Sequence, residues 1–300
     1  MDGVPSAVEH GVLERRGVPV HYWVHGERSA PLIACTHGAS LDHDAFAPNV
    51  PAMVATGHRV LTWDLPGHGA SRPIGEPFDV RTLAGDLRAL LDAVEATEAT
   101  LVGQSLGGLV SQQLQIDHPE RVSAMVMVGS TDLQVPLGRA QAVVQRLRPA
   151  ILRLWPDGHL RRTFARMFAE TPQARRYVAR ATRAQPKADL IEVTRAALAA
   201  VSPGRANTRV PVPVLLVHGE RDLRMVVRAA RRWEATEAGC RRVSLPGAGH
   251  LANLDRPEAF DAALTGFVRE LRPAAALVAH TRHVLRPVRH SAAPVRIGCR

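Results

Sequence analysis

The stretch ATLVGQSLGGLVSQQLQIDHP, residues 99–119, decides the architecture. Its opening, Ala99–Gly103, is a short apolar run of strand length. From Ser105 onward the sequence opens a helix that must end before Pro119, because the residue ahead of a proline is biased away from helical geometry. Between the two lies Gly103-Gln104-Ser105-Leu106-Gly107. A sharp strand-to-helix turn forces the serine backbone into a strained region, and small residues two before and two after keep neighbouring chains clear of it. The Ser105 hydroxyl then projects above the C-terminal edge of a sheet. It sits at the N-terminus of a helix whose unpaired N–H groups favour a developing anion. Two readings follow: an activated nucleophile, or a glycine-flanked serine that only caps a helix.

Outward from this stretch, strand and helix signals alternate. β-rich segments fall near 7–15 and 18–25, and LIACTH (32–37) is a buried-strand run ending in His-Gly. HRVLTWDLPG (58–67) repeats that form. Val80, Leu83, Leu87, Leu90, Leu91 and Val94 recur at three and four, as one face of a helix does. Residues 122–130, 212–219 and 241–250 are further strands, and 257–271 is a closing helix with Pro257 in its first turn. Uninterrupted apolar strands alternating with helices imply an α/β fold, a mostly parallel sheet covered on both faces. The segment 135–205 breaks the alternation with helical patterns punctuated by Pro149, Pro156, Pro172 and Pro186. The expected organisation is a core in two parts, 1–134 and 206–272, an inserted helical lid at 135–205, and a disordered basic tail at 273–300.

Composition removes several classes. Apolar residues make up 46% and charged residues 22%, which excludes a disordered chain and supplies a core. No run approaches the roughly 18 apolar residues of a membrane span, and the first residues hold no apolar segment of a secretory leader. Cys35, Cys240 and Cys299 form neither a disulfide framework nor a zinc pattern, so a reducing, cytoplasmic setting is expected, with no metal and no cofactor. The net charge of +10 is concentrated in the tail, where Arg272 to Arg300 bring six arginines and no acid. That distribution, without any recognisable nucleic-acid motif, argues against nucleic acid as a partner. A small-molecule substrate and a monomer or homodimer are expected.

A serine needs a base, and Gly247-Ala248-Gly249-His250 offers one in the loop after the last strand. A third group must hold the imidazole tautomer and stabilise the imidazolium. Asp222, just past the strand that ends at Gly219, is the preferred candidate, with Asp132 and Glu220 as competitors. The chain order Ser105, Asp222, His250 agrees with the order in which such a triad follows on this architecture. Two backbone N–H groups, of Leu106 after the nucleophile and of Ala39 in His37-Gly38-Ala39-Ser40, are placed to hold an oxyanion. Candidate pocket residues between the triad and the lid are His37, Leu41, Leu133, Trp155, Phe164, Met167, Phe168, Met225, Val226 and Leu251, with Leu106 beside them. Arg161, Arg162, Arg166, Arg175 and Arg176 decorate the lid and read as a solvated helical face, an acidic substrate being the alternative.

Taken together, these segments resemble the α/β-hydrolase superfamily over about 18–272. His37-Gly38-Ala39-Ser40 resembles its oxyanion loop, and Asp64-Leu65-Pro66-Gly67-His68-Gly69-Ala70-Ser71 its D-x-P-G-x-G-x-S turn. Gly103–Gly108 resembles its nucleophile elbow, while Gly219–Asp222 and Gly249-His250 resemble its acid and base loops. The serine sets the chain apart from branches with an aspartate nucleophile. The resemblance is nearest the esterase, enol-lactonase and cofactor-free haloperoxidase group, although Leu223–Val227 lacks the proline common after the acid. It implies a serine hydrolase that cleaves a small ester, lactone or thioester through an acyl-enzyme. Alternatives are hydrolytic C–C cleavage or perhydrolase chemistry on the same triad, and, from another class, a small-molecule receptor on the same fold.

Overall fold

The computed structural model describes residues 9–133, 150–200 and 210–271. Eight strands form one sheet in the order β1-β2-β4-β3-β5-β6-β7-β8. They are β1 (Glu9–Arg15), β2 (Val18–His25), β3 (Leu32–Thr36), β4 (Arg59–Trp63), β5 (Ala99–Gln104), β6 (Val122–Val128), β7 (Val214–Gly219) and β8 (Cys240–Leu245). The β1–β2 and β2–β4 pairs are antiparallel, and every pair from β4 to β8 is parallel. The strands expected from sequence are all present.

The period of two explains why the central strands read as continuous apolar runs. On β6, Met125 and Met127 enter the core on one face, while Ala124, Val126 and Val128 enter it on the other. On β7 the same split separates Val214 and Leu216 from Leu215 and Val217. Both faces are therefore covered. The first face packs against α2 (Val80–Ala93), α3 (Leu106–Asp117) and α7 (Arg224–Thr236). The second packs against α1 (Val50–Val54), α8 (Ala252–Asp255) and α9 (Pro257–Leu271). Asp79 caps α2 by accepting from the Thr82 N–H at 2.8 Å, and Leu83, Leu87, Leu90 and Leu91 form its buried face.

Between β6 and β7 the described residues hold α4 (Asp157–Phe168), α5 (Pro172–Arg183) and α6 (Lys187–Ala200), preceded by the helical residues 150–154. Pro156 stands at the N-cap of α4, Pro172 opens α5, and Pro186 precedes α6, so three of the four prolines mark helix starts. This insertion has a small core of its own, Leu152, Leu160, Phe164, Leu190 and Ile191. Pro149, the expected boundaries at 134/135, 205/206 and 272/273, and the tail at 273–300 lie outside the described residues. Helix α7 is absent from the sequence reading, though Val226, Ala229, Ala230 and Trp233 form a buried face at helical spacing. Its many arginines hide that stripe.

The chain runs from β3 outward to β4 and then returns to place β5 on the other side of β3. The strand order thus reverses between β3 and β5. A crevice opens at such a switch point, above the C-terminal ends of the strands. The loop after β3 and the turn after β5 border it.

Candidate active site

Ser105 occupies the turn between β5 and α3 with φ 51° and ψ −110°. A residue with a Cβ in that region costs about 1–3 kcal/mol and persists only when its surroundings enforce it. Here the Ser105 N–H donates to the Val128 carbonyl at 2.8 Å, and the Ser130 hydroxyl donates to the Ser105 carbonyl at 2.8 Å. A Cβ on Gly103 would lie 2.4 Å from the Gly107 carbonyl oxygen, and one on Gly107 would lie 2.0 Å from that of Thr36. The two glycines of the motif are therefore demanded by close approach. Ser105 stands at the N-cap of α3, yet its side chain caps nothing. The hydroxyl lies 3.1 Å from His250 Nε2 instead.

His250 Nδ1 is 2.8 Å from Asp222 Oδ1. The pair is withdrawn from solvent, with 7% of the imidazole and none of the carboxylate exposed. Asp222 Oδ1 also accepts from the Leu223 N–H at 2.6 Å, and Oδ2 is buried with no hydrogen-bond partner. The competing acids are engaged elsewhere: Asp132 pairs with Arg232 at 3.1 Å, and Glu220 accepts from the Gly247 N–H at 3.0 Å. Gly129, after β6, has φ 57°, and a Cβ there would lie 2.6 Å from the His250 carbonyl oxygen and 3.1 Å from Nδ1. Asp222 and His250 thus pack directly on the neighbouring strand's end.

Leu106 is the first residue of α3, where an N–H has no acceptor within the helix. Ala39, in the turn after β3, lines the same cavity. In that turn the Ser40 N–H donates to His68 Nε2 at 3.0 Å, and the Leu41 N–H to the Gly38 carbonyl at 3.3 Å. Neither bond uses the Ala39 N–H. Two neutral histidines hold the turn from behind. His68 Nδ1 donates to the Pro66 carbonyl at 2.9 Å; His37 Nδ1 donates to the Gly38 carbonyl at 2.7 Å, and His37 Nε2 accepts from the Leu65 N–H at 3.1 Å. Burial pushes His37 down to about 4 and His68 down to about 3. Asp64 completes the network by accepting from the His43 N–H and the Ala70 N–H, both at 2.7 Å. Burial alone would raise its carboxyl, but the His43 hydrogen bond and the neighbouring histidines hold it below the usual range.

A cavity of about 640 Å3 opens over Ser105 and His250. Leu41, Trp155, Phe164, Met167, Phe168, Met225, Val226 and Leu251 line it as expected. Two expected residues do not. The His37 ring is wholly buried behind the turn that follows β3, its Nε2 accepting from the Leu65 N–H. Leu133 is buried in the main core, its N–H bound to Gln112 Oε1 at 3.0 Å. Residues that sequence reading missed are Thr131, Ile151, Leu152, Thr163, Thr194 and Arg224 on the wall. Gln104 is another: its side-chain amide is buried, lines the cavity and has no hydrogen-bond partner.

Asp255 was missed as well. Its carboxylate accepts from the Gly249 N–H at 2.9 Å, next to His250, and from the Glu170 and Thr171 N–H groups at 2.9 and 2.8 Å. One buried side chain on α8 thereby ties the His250 loop to the connection between α4 and α5. Phe168 adds to this link: its carbonyl accepts from the Leu251 N–H at 2.9 Å, and its ring centroid is 5.4 Å from that of His250. Among the described residues no group of three His, Cys, Asp or Glu side chains could hold a metal, and no helix is long and apolar enough to cross a membrane.

Residues 31–257 match the sequence profile of the family described as alpha/beta hydrolase fold. The chain is 26% identical over 276 residues to 3-oxoadipate enol-lactonase 1 of Acinetobacter baylyi, covering 87% of this chain and 97% of that protein. It is 29% identical over 242 residues to a pimeloyl-[acyl-carrier protein] methyl ester esterase of Neisseria meningitidis, covering 77% and 75%. Its fold is similar to the crystal structure of a hydrolase from Pseudomonas aeruginosa, with a TM-score of 0.75, 27% identity, and coverage of 88% and 99%.

Proposed function

The chain is a hydrolase of the alpha/beta hydrolase fold family, and from that premise we propose that it cleaves a small ester, lactone or thioester with Ser105 as nucleophile. The observation that carries the reading is the hydrogen-bond chain from Ser105 Oγ to His250 Nε2 at 3.1 Å and from His250 Nδ1 to Asp222 Oδ1 at 2.8 Å. Ser105 Oγ attacks the acyl carbon while His250 Nε2 takes its proton. Asp222 keeps the proton on Nδ1 and stabilises the imidazolium. The carbonyl oxygen, now an anion, is held by the Leu106 and Ala39 N–H groups. As the tetrahedral intermediate collapses, the bond to the leaving oxygen or sulfur breaks, and that atom receives the proton from Nε2. A water then gives a proton to the same nitrogen and attacks the acyl carbon; as the second tetrahedral intermediate collapses, the bond to Ser105 Oγ breaks, Oγ takes the proton back from Nε2, and the acid is released.

The cavity walls favour an acyl group that is largely apolar, and the helical insertion serves as the lid that selects it. Relatives named for lactone and methyl ester cleavage support the bond type. No observed feature favours the C–C or perhydrolase alternatives. The test is labelling with a fluorophosphonate, whose adduct mimics the tetrahedral intermediate. One label is expected, on the peptide that holds Ser105. It disappears in Ser105→Ala and falls steeply in His250→Ala. A folded wild-type protein that takes no label refutes the mechanism and turns attention to ligand-dependent partner capture. A panel of p-nitrophenyl esters, lactones and acyl thioesters, with Ser105→Ala as the blank, then sorts the substrate class.

A further inference from the structure

The helical insertion carries a second cavity of about 380 Å3, which shares no lining residue with the catalytic one. It lies between α4 and α5. Gly158 and Ala165 on one helix and Ala179 on the other leave the space, and Arg161, Arg162, Arg166, Arg175 and Arg183 surround it. The spacing of three and four residues on each helix brings these side chains onto facing edges.

Five guanidinium groups meet there with one lining carboxylate, Asp157, and Arg161 already occupies it at 2.8 Å. Arg175 donates to the Ala169 carbonyl at 2.8 Å and stands 4.0 Å from Glu170. Arg162, Arg166 and Arg183 have no carboxylate partner among the described residues. The remainder of the chain has little to offer them: residues 1–8, 134–149, 201–209 and 272–300 contain one acidic side chain, Asp2. A solvated helix face ordinarily sets opposite charges four apart, whereas Arg162 and Arg166 are like charges at that spacing, which destabilises a helix. Arg161 supplies a second sign. Its side chain is 11% exposed, Nη2 donates to the Gln185 carbonyl at 3.0 Å, and Nη1 is buried with no acceptor. Buried donors without an acceptor are rare in folded proteins.

We propose that the cleft between α4 and α5 binds a phosphate or diphosphate group, free or carried on a larger molecule. A carboxylate is satisfied by one guanidinium fork, while a tetrahedral oxyanion of higher charge presents acceptors to several at once. The proposal does not depend on the role of Ser105.

The experiment is calorimetric titration of the full chain with sodium pyrophosphate at 150 mM NaCl. One saturable site is expected. In the R162Q/R166Q variant its dissociation constant rises at least about tenfold, as loss of charge-assisted bonds requires. The R282Q/R286Q variant removes the same charge from the C-terminal segment and leaves it within about twofold. If no saturable heat appears, or if both variants weaken binding alike, the site does not exist and only the net positive charge attracts anions. Binding of succinate in preference to pyrophosphate also overturns the phosphate assignment. A melting curve verifies that R162Q/R166Q folds, and R183Q on α5 repeats the test from the other wall. Comparison with a nucleoside diphosphate separates the sources: equal affinity means the free group suffices, and tighter binding means the group is carried.

Discussion

Replacing Asp222 by Asn tests the acid assignment and a detail of its geometry together. One oxygen, Oδ1, accepts from both the Leu223 N–H at 2.6 Å and His250 Nδ1 at 2.8 Å. Since the backbone N–H can only donate, the asparagine must keep its carbonyl oxygen there. Its NH2 then takes the buried Oδ2 position beside Gly129. The His250 tautomer is thereby preserved, and the loss is that of a negative charge next to the imidazolium. With charge centres about 4 Å apart in this buried setting, the interaction is worth about 4 kcal/mol at an effective dielectric of 20. That corresponds to roughly a thousandfold in kcat. Triads in which the amide reverses the tautomer lose about ten thousandfold. The assay is kcat and KM on a p-nitrophenyl ester, with nitrogen NMR of His250 to read the tautomer. A loss below tenfold, or a larger loss from Asp132→Asn, would remove Asp222 as the acid. A reversed tautomer with a loss of ten thousandfold would refute the locked-amide argument while leaving the acid in place.

Asp255→Ala strips the acceptor from three backbone N–H groups, so a stability loss of about 2–5 kcal/mol is expected by urea unfolding. It should also cut kcat more than it raises KM; unchanged kcat in the folded variant would show that Asp255 does not position His250. Gly129→Ala introduces a Cβ 2.6 Å from the His250 carbonyl at a positive φ, and is expected to cost about 1–3 kcal/mol and to lower kcat at least about tenfold. Wild-type activity in that variant would mean that the base loop shifts freely. Acid sensitivity follows from the two buried histidines. Their folded values of about 4 and about 3 lie below the ordinary 6.5, so the unfolded chain takes up protons first. Neither group affects stability above pH 6.5, and stability falls as the pH drops from there toward 4 and then 3, by roughly 3 kcal/mol for His37 and roughly 5 kcal/mol for His68. Unfolding free energies that stay flat between pH 7 and pH 4.5 would contradict this.

The sheet was legible because each central strand is buried on both faces, and its helices because their apolar spacing is undisturbed. Leu83, Leu87, Leu90 and Leu91 in α2 leave no ambiguity. Helix α7 carries the same kind of stripe in Val226, Ala229, Ala230 and Trp233, but the arginines around it obscure the period. The two short helices α1 and α8, of five and four residues, are below the length at which a period declares itself.

The site divides along the same line. Ser105, Leu106 and the glycines beside them are fixed by local backbone sterics, and a local constraint leaves a motif. His250 and Asp222 follow because each lies in the loop after a parallel strand, β8 and β7, at the sheet edge where Ser105 also stands. Asp255 acts on Glu170 and Thr171 across 85 and 84 positions of sequence, and on Gly249 through a backbone N–H. Such contacts have no period and no characteristic neighbour. The cavity shows the same difference: Phe164 and Phe168 were accessible as aromatics of an inserted helix, while Thr131 and Thr194 become its wall only when α6 and the end of β6 are folded over the serine. His37 shows the reverse error. A histidine at the end of a strand bordering the crevice looks like a pocket residue, yet its two nitrogens are consumed by Leu65 and Gly38. Backbone geometry at one strand end can be read from five residues. Substrate choice depends on how separate helices meet, and so it must be read from the cavity.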